Sequence, residues 1–377
     1  MMPINHHLDP LERSGIRVFT NLAKATPDCR MLTIGEPDQA TPEPIRQAAL
    51  EALSRGETHY APNQGTASLR SAIAAFETNR GRPTAPEEVL VTVGATQALY
   101  TALTGILNPG DQVIIPTPAF SLYATIVTAA GAEPVFLDVS KTDFQITEEA
   151  LNACLTEKTK AIVLNSPCNP TGVILRESSL DTVARAVLGR EIYLICDNVY
   201  DKLAYAPCGD LTRREDLRPQ TILCQSFSKP YAMTGWRGGY LICPGELLSR
   251  LLLLSAAEIA AVPTFLQAAA EAALEVDTEP VRLLYRRRRD YVCSRLDRMG
   301  LSYPQPEGAF YVFPDISQFG IPSWQFCERM IQEAGLAAVP GVCFGTEGYI
   351  RLSYCYSDRE LQESLDRLEG FVKRLGE

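Results

Sequence analysis

No two cysteines in the 377-residue sequence are spaced as CxxC, and its eleven cysteines are odd in number and scattered. Neither a disulfide framework nor a zinc site is suggested, and reduced thiols in a cytoplasmic protein are expected. Histidine is scarce, and the adjacent His6 and His7, with no ligand-spaced partner, read as surface residues. Long hydrophobic runs are missing too. Stretches such as "LLSRLLLLSAAEIAAVP" are too short and too interrupted to span a bilayer. "MMPINHHLDPLERSG" has no apolar core preceded by positive charge and does not read as a signal peptide. Positive charge is also in short supply. The formal net charge of −10 argues against nucleic acid, whose phosphates need clustered Lys and Arg. The one dense basic run, Arg286 to Arg289, has helical periodicity and is expected to be a solvated helix face. No internal repeat or low-complexity linker stands out, and no GxGxxG follows a strand-like run, which argues against a nicotinamide-dependent dehydrogenase.

What the chain has is an ordinary globular composition, 46% apolar and 21% charged, and enough length for two or three domains. From about residue 87 to 245, short β-rich runs alternate with helical ones. "EVLVTV" precedes "GATQALYTALTGIL", "QVIIPT" precedes "AFSLYATIVTAAG", and "KAIVLN" precedes "PCNPTG" and "SSLDTVARAVL". "EIYLIC" leads to "DNVYDKLAY", "QTILCQ" to "SFSK", and "GGYLIC" reads as a further strand. Apolar runs with little alternation suit strands buried on both faces of a mostly parallel sheet. A second, smaller α+β region is expected from the long helix after residue 280, "GAFYVFPDI", "YIRLSYCYS" and a final amphipathic helix, joined by the N-terminal segment.

Ligands of open parallel sheets bind beyond the carboxyl ends of the strands, so polar residues there carry the functional reading. Four groups qualify: Gly94-Ala95-Thr96, Asn169, Asp197 with Tyr200, and Ser226, Ser228 and Lys229. Each of the first three has an ordinary structural reading as well. Gly94 to Thr96 fit either a plain helix entry or an anion site at a helix N-terminus. Asp197 ends an apolar run, as an N-cap would, and Asn169 sits in a Pro- and Gly-containing turn. Lys229 is different. A lysine between hydroxyls, with Arg237 eight residues on, makes sense beside an anionic aldehyde cofactor with which an amine of lowered pKa forms a Schiff base.

With these residues together, the sequence resembles the class I/II aminotransferases, fold-type-I enzymes dependent on pyridoxal 5′-phosphate. "SFSKPYAMTGWRGG" matches the family's S-x-S-K-x-x-x-x-x-G-x-R-x-G signature. The match runs in order from "IGEPDQATP" through "YAPNQGTASLR", "GATQAL", "NPTG", "DNVY" and "SFSK" to "GAFYVF" and "YIRLSY", nearly the whole chain. The resemblance implies a large cofactor-binding domain over 45–280 and a small domain over 1–44 and 281–377. It puts Lys229 in the Schiff-base position and Asp197 beside the pyridine nitrogen. Asn169 and Tyr200 fall at the ring's phenolic oxygen and Phe120 on its face. Ala95, Thr96, Ser226, Ser228 and Arg237 fall at the phosphate. Tyr60 corresponds to a tyrosine that reaches the neighbouring subunit's phosphate, implying a homodimer. Arg351 corresponds to the arginine for the substrate α-carboxylate, and Gly35 lies in the segment that closes over the substrate. Asn198 departs from the family's usual Glu, and "YAPNQG" from "YTPxxG". Neither position has a catalytic role.

The expected activity is transfer of an amino group from an L-amino acid to a 2-oxo acid. Neutral or aromatic donors are favoured because Thr96 stands where some aspartate-preferring relatives carry Lys. A C–S lyase of the same fold is the alternative. A non-catalytic regulator with a winged-helix domain ahead of the fold is not expected, because the first family motif begins by residue 32.

Overall fold

The computed structural model describes residues 2, 4–11 and 13–376. Its strands in chain order are β1 (Arg30–Met31), β2 (Val89–Thr92), β3 (Gln112–Thr117), β4 (Glu133–Asp138), β5 (Thr159–Asn165) and β6 (Tyr193–Asp197). They continue as β7 (Thr221–Ser226), β8 (Gly239–Ile242), β9 (Tyr311–Val312), β10 (Leu336–Ala337), β11 (Val339–Pro340) and β12 (Ile350–Ser353). Seven form one sheet in the order β2-β8-β7-β6-β5-β3-β4. The pairs among β3 to β7 are parallel, while β8 is antiparallel to both its neighbours, β2 and β7. Two reversals restore direction. Edge strand β2 therefore ends at the same rim of the sheet as β5, β6 and β7.

Successive side chains of a strand point to opposite faces, and here both faces are covered. Ile195 packs with Leu99, Leu103 and Leu248 on one side, whereas Leu194 and Cys196 pack with Leu180 and Val183 on the other. That is why these strands read as unbroken apolar runs. The register aligns the rim: Asn165 lies opposite Asp197, Asp197 opposite Cys224, Ser226 opposite Gly239, and Gly239 opposite Thr92.

A three-stranded antiparallel sheet, β11-β12-β9, and the short parallel pair of β1 with β10 lie in a second core. This core is built on Phe19, Tyr285, Leu296, Phe326 and Phe371. Pairing of Arg30 with Leu336 ties the N-terminal segment to the C-terminal third. The expected boundaries near residues 45 and 280 fall in the first turns of helices Glu43–Ser54 and Glu279–Arg298.

Two local expectations change. "DNVYDKLAY" forms only a 3₁₀ turn at Asp201–Leu203, too short for a helical face. Asp201 is instead drawn into a mostly buried ion cluster with Arg80 and Arg82, which also engages Glu77 and Asp210. Arg286 and Arg287 are solvated as expected, but Arg288 is 6% exposed. It turns inward to pair with Asp38 at 2.7 Å and Asp358 at 3.0 Å, which compensates its burial. Among the described residues, no helix is long and apolar enough to cross a membrane.

Candidate active site

Beyond the aligned rim lies a cavity of about 620 Å³. Its wall includes Gly35, Ala95, Thr96, Phe120, Asn169, Asp197, Tyr200, Ser226, Ser228, Lys229, Arg237 and Arg351, twelve residues singled out from the sequence. Gly94 lies just behind the wall and Tyr60 lies outside it. Tyr60 is 93% exposed.

Helix Gly94–Ile106 starts directly after β2 and points its N-terminus into the cavity. Its first N–H groups have no partner within the helix and carry the positive end of its dipole. Gly94 makes the turn at φ +70°, and a Cβ there would stand 2.9 Å from Arg237 Nη2. Glycine thus serves both the backbone conformation and the close approach of the guanidinium. Arg237 is exposed to the cavity, with Nη1 donating to the Thr234 carbonyl at 3.0 Å. Ser226 Oγ accepts the Ser228 N–H at 3.0 Å, so the two serines lie side by side at the end of β7.

Asp197 is 4% exposed. Tyr123 donates its hydroxyl to Oδ2 at 2.6 Å, while Oδ1 is buried without any hydrogen-bond partner. Burial pushes the carboxyl pKa up to about 6, opposed by the Tyr123 hydroxyl, the Val199 N–H and the charge of Lys229. The Lys229 ammonium donates to the Gly35 carbonyl at 2.6 Å. Desolvation lowers its pKa to about 8. Arg351 is 1% exposed and lies over the rings of Tyr311 and Phe344, at 4.5 and 4.9 Å. Nη1 donates to Asn169 Oδ1 at 2.8 Å and Nη2 to the Thr33 carbonyl, but Nε is buried without a partner. Among the described residues, Lys229, Arg237 and Arg351 are ion-paired to no carboxylate. The cavity is therefore built for an anionic occupant.

Three participants escaped the sequence reading. Asn165 ends β5 and donates to the Asp197 carbonyl at 2.8 Å while accepting the Asn169 N–H at 2.8 Å. As a polar residue at a strand end, it carried the signal used for the others. Tyr311 pairs its hydroxyl with that of Tyr200 at 2.9 Å and fills the space above Gly35, where a Cβ would stand 1.8 Å from its oxygen. Tyr123 looks like one more apolar position of helix Leu122–Ala129, and nothing in the sequence marks it as Asp197's donor.

The family model for aminotransferase class I and II matches residues 27–368. A probable N-acetyl-LL-diaminopimelate aminotransferase of Bacillus subtilis is 39% identical over 98% of this chain and 96% of its own length. An aspartate aminotransferase of Pyrococcus abyssi is 38% identical over 99% of both chains. Among solved structures, the aspartate aminotransferase of Thermus thermophilus with maleate superposes with a TM-score of 0.93 at 34% identity, covering 98% of this chain and 100% of that one. Sequence, fold and the cation-lined cavity at the sheet rim agree, and the chain belongs to the class I and II aminotransferases, a family of enzymes that use pyridoxal 5′-phosphate.

Proposed function

We propose that this aminotransferase holds pyridoxal 5′-phosphate in the rim cavity and moves the amino group of a neutral or aromatic L-amino acid to a 2-oxo acid. The observation that carries the reading is Asp197 Oδ1, a buried carboxylate oxygen with no donor. A protonated ring nitrogen is a donor that satisfies it, and its charge stabilises the carboxylate that burial disfavours. When bound, pyridoxal 5′-phosphate supplies an aldehyde and an electron-accepting ring, neither of which side chains provide.

The remaining wall fits the same group. Ser226, Ser228, Arg237 and the first N–H groups at Ala95 and Thr96 would hold the phosphate, with Gly94 leaving room for the guanidinium. Asn169 and Tyr200 would hydrogen-bond the phenolic oxygen, and Phe120 would cover the ring face. Tyr60 finds no use for its exposed ring within one chain, which supports a homodimer in which it reaches a second copy's phosphate. The large lobe, 45–280, carries Asp197, Lys229 and the phosphate residues, and the small lobe, 1–44 with 281–377, carries Gly35 and Arg351. Eleven cysteines outside any disulfide among the described residues support a cytoplasmic enzyme.

Lys229 is the group that takes and returns the substrate α-proton. An amine with pKa about 8 is free base to the extent of about a tenth at pH 7, as a proton carrier near neutrality requires. Arg351 holds the α-carboxylate, oriented by Asn169 and Thr33 and stacked between two rings. Arg351→Lys keeps the charge and loses the planar fork. The specificity constant should fall about tenfold or more for every amino acid tested. A loss confined to one side-chain class would move Arg351 to the distal end of the substrate.

Ile16, Ile34 and Leu122 give the cavity apolar wall, and Thr96 brings a hydroxyl rather than a cation to the helix start. Both features suit a neutral side chain. The test is half-transamination of the loaded enzyme by phenylalanine, tyrosine, methionine, alanine and aspartate, followed by loss of visible absorbance. Aspartate leading by about tenfold, or about 1.4 kcal/mol, would overturn the donor class. Release of ammonia and pyruvate without an acceptor would mark the C–S lyase, whereas the Bacillus subtilis and Pyrococcus abyssi relatives both carry the name of aminotransferases.

A further inference from the structure

The Tyr200 hydroxyl has one proton, and two oxygens stand to receive it. One is the phenolic oxygen that Tyr200 would hydrogen-bond under the reading above; the other is the Tyr311 hydroxyl, its one hydrogen-bond partner among the described residues, at 2.9 Å. Either tyrosine can be the donor of that pair. A cofactor in the cavity removes the ambiguity, because an ionised phenolic oxygen has no proton to give. Tyr200 must then donate to it and accept from Tyr311. Burial raises both phenols, Tyr311 to about 12 and Tyr200 well above its ordinary value, so each keeps its proton at neutral pH.

The pair joins two sheets. Tyr200 follows β6 of the main sheet, whereas Tyr311 opens β9 and stands in register with Ser353 of β12 in the three-stranded sheet. Tyr311 is 2% exposed and is held on several sides. The Arg351 guanidinium lies over its ring at 4.5 Å, and Phe310 meets the ring near edge-on at 4.9 Å. Its hydroxyl occupies the space that a Cβ at Gly35 would need, and Gly35 has no positive φ that would call for glycine. The glycine therefore makes room for this hydroxyl. A buried ring so packed keeps its oxygen in one place, beside Tyr200.

The structure assigns Tyr311 as a positioning residue, whose hydroxyl donates to Tyr200 and so aims the Tyr200 proton at the phenolic oxygen of the cofactor. This rests on the cofactor reading and adds a residue that the reading does not use. A hydroxyl that accepts one hydrogen bond donates the next more strongly, so Tyr311 favours the ionised phenolic oxygen through Tyr200. Its loss lets the protonated form of the bound cofactor persist to higher pH.

Tyr311→Phe tests the assignment, since it deletes the hydroxyl and keeps the ring beneath Arg351. In the loaded protein without any amino acid, the midpoint of the pH-dependent change in visible absorbance should rise by about half a unit. Tyr200→Phe should move it further the same way, by about one unit or more, and the double variant should match Tyr200→Phe alone. With Tyr200 gone, the Tyr311 hydroxyl has nothing to act through. Calorimetric binding of 3-phenylpropionate, which reads the carboxylate site at Arg351, should change by less than about twofold in Tyr311→Phe. A larger loss would make Tyr311 a support of Arg351, and an unmoved or lowered midpoint, or shifts that add in the double variant, would detach it from Tyr200; each outcome overturns the assignment. A wild-type protein that takes up no pyridoxal 5′-phosphate, and so shows no visible band, sinks the cofactor reading and the assignment with it. A wild-type band that titrates, beside an unchanged midpoint in Tyr311→Phe, sinks the assignment alone.

Discussion

Lys229→Ala is expected to abolish steady-state turnover, by at least about a thousandfold, while cofactor uptake remains measurable. The loss follows from chemistry that no neighbour can take over. Arg237 and Arg351 carry guanidinium groups rather than a primary amine, and Asp197 is engaged by Tyr123. Uptake survives because Ser226, Ser228, Arg237 and the helix N-terminus stay in place. Folding should also survive, since the substitution removes a desolvated cation and a single hydrogen bond, to Gly35, worth about 1–3 kcal/mol. Single-turnover and steady-state assays of the purified variant, beside a cofactor titration, check both halves. Near-normal turnover would remove Lys229 from the mechanism.

Asp197→Ala is expected to lower the rate on the order of 10³-fold with the cofactor fully bound, or roughly 4 kcal/mol of transition-state stabilisation. Among the described residues, its Oδ1 is the only carboxylate oxygen of the cavity wall that is buried without a hydrogen-bond partner. Alanine also strands the Tyr123 hydroxyl, a further cost in stability of about 1–3 kcal/mol, so the melting temperature must be recorded with the rate. A fall of less than tenfold at cofactor saturation would mean that the ring does not depend on this carboxylate.

Much of the fold was legible because strands covered on both faces leave an unmistakable mark, as "YLIC" and "TILCQ" do. The site was legible where a polar residue interrupts such a run at its carboxyl end, which found Asp197 and Ser226. Arg351, Tyr60 and Gly35 rested on family resemblance, since nothing in "YIRLSY" alone says that its arginine is buried between two rings. Tyr123 and Tyr311 were not legible. Their hydroxyls are aimed by tertiary packing, and a tyrosine in an apolar helix or strand looks like core. The turn after Asp197 was misjudged for a related reason. Asp201 and Lys202 suit a helix locally, but Asp201 is drawn into an ion cluster with Arg80 and Arg82, more than a hundred residues earlier.

The order of the main sheet has a kinetic consequence. Strand β2 and the helix after it come early in the chain, yet β2 joins the sheet only through β8, about 150 residues later, which sits between it and β7. Closing so long a loop precedes any reward from the contacts it makes, which places this edge among the slow, non-local steps of assembly. The helix that begins at Gly94 also packs on the sheet face through Leu99 and Leu103, but its start is held in line with the serines of β7 through β8, which pairs with both β2 and β7. A chain in which β3 to β7 have paired without β8 offers a poorer hold to a phosphate-bearing ligand that needs both halves. Added during refolding, it should leave the early phases untouched and stabilise only the finished molecule, making its uptake a clock for the last strand to dock.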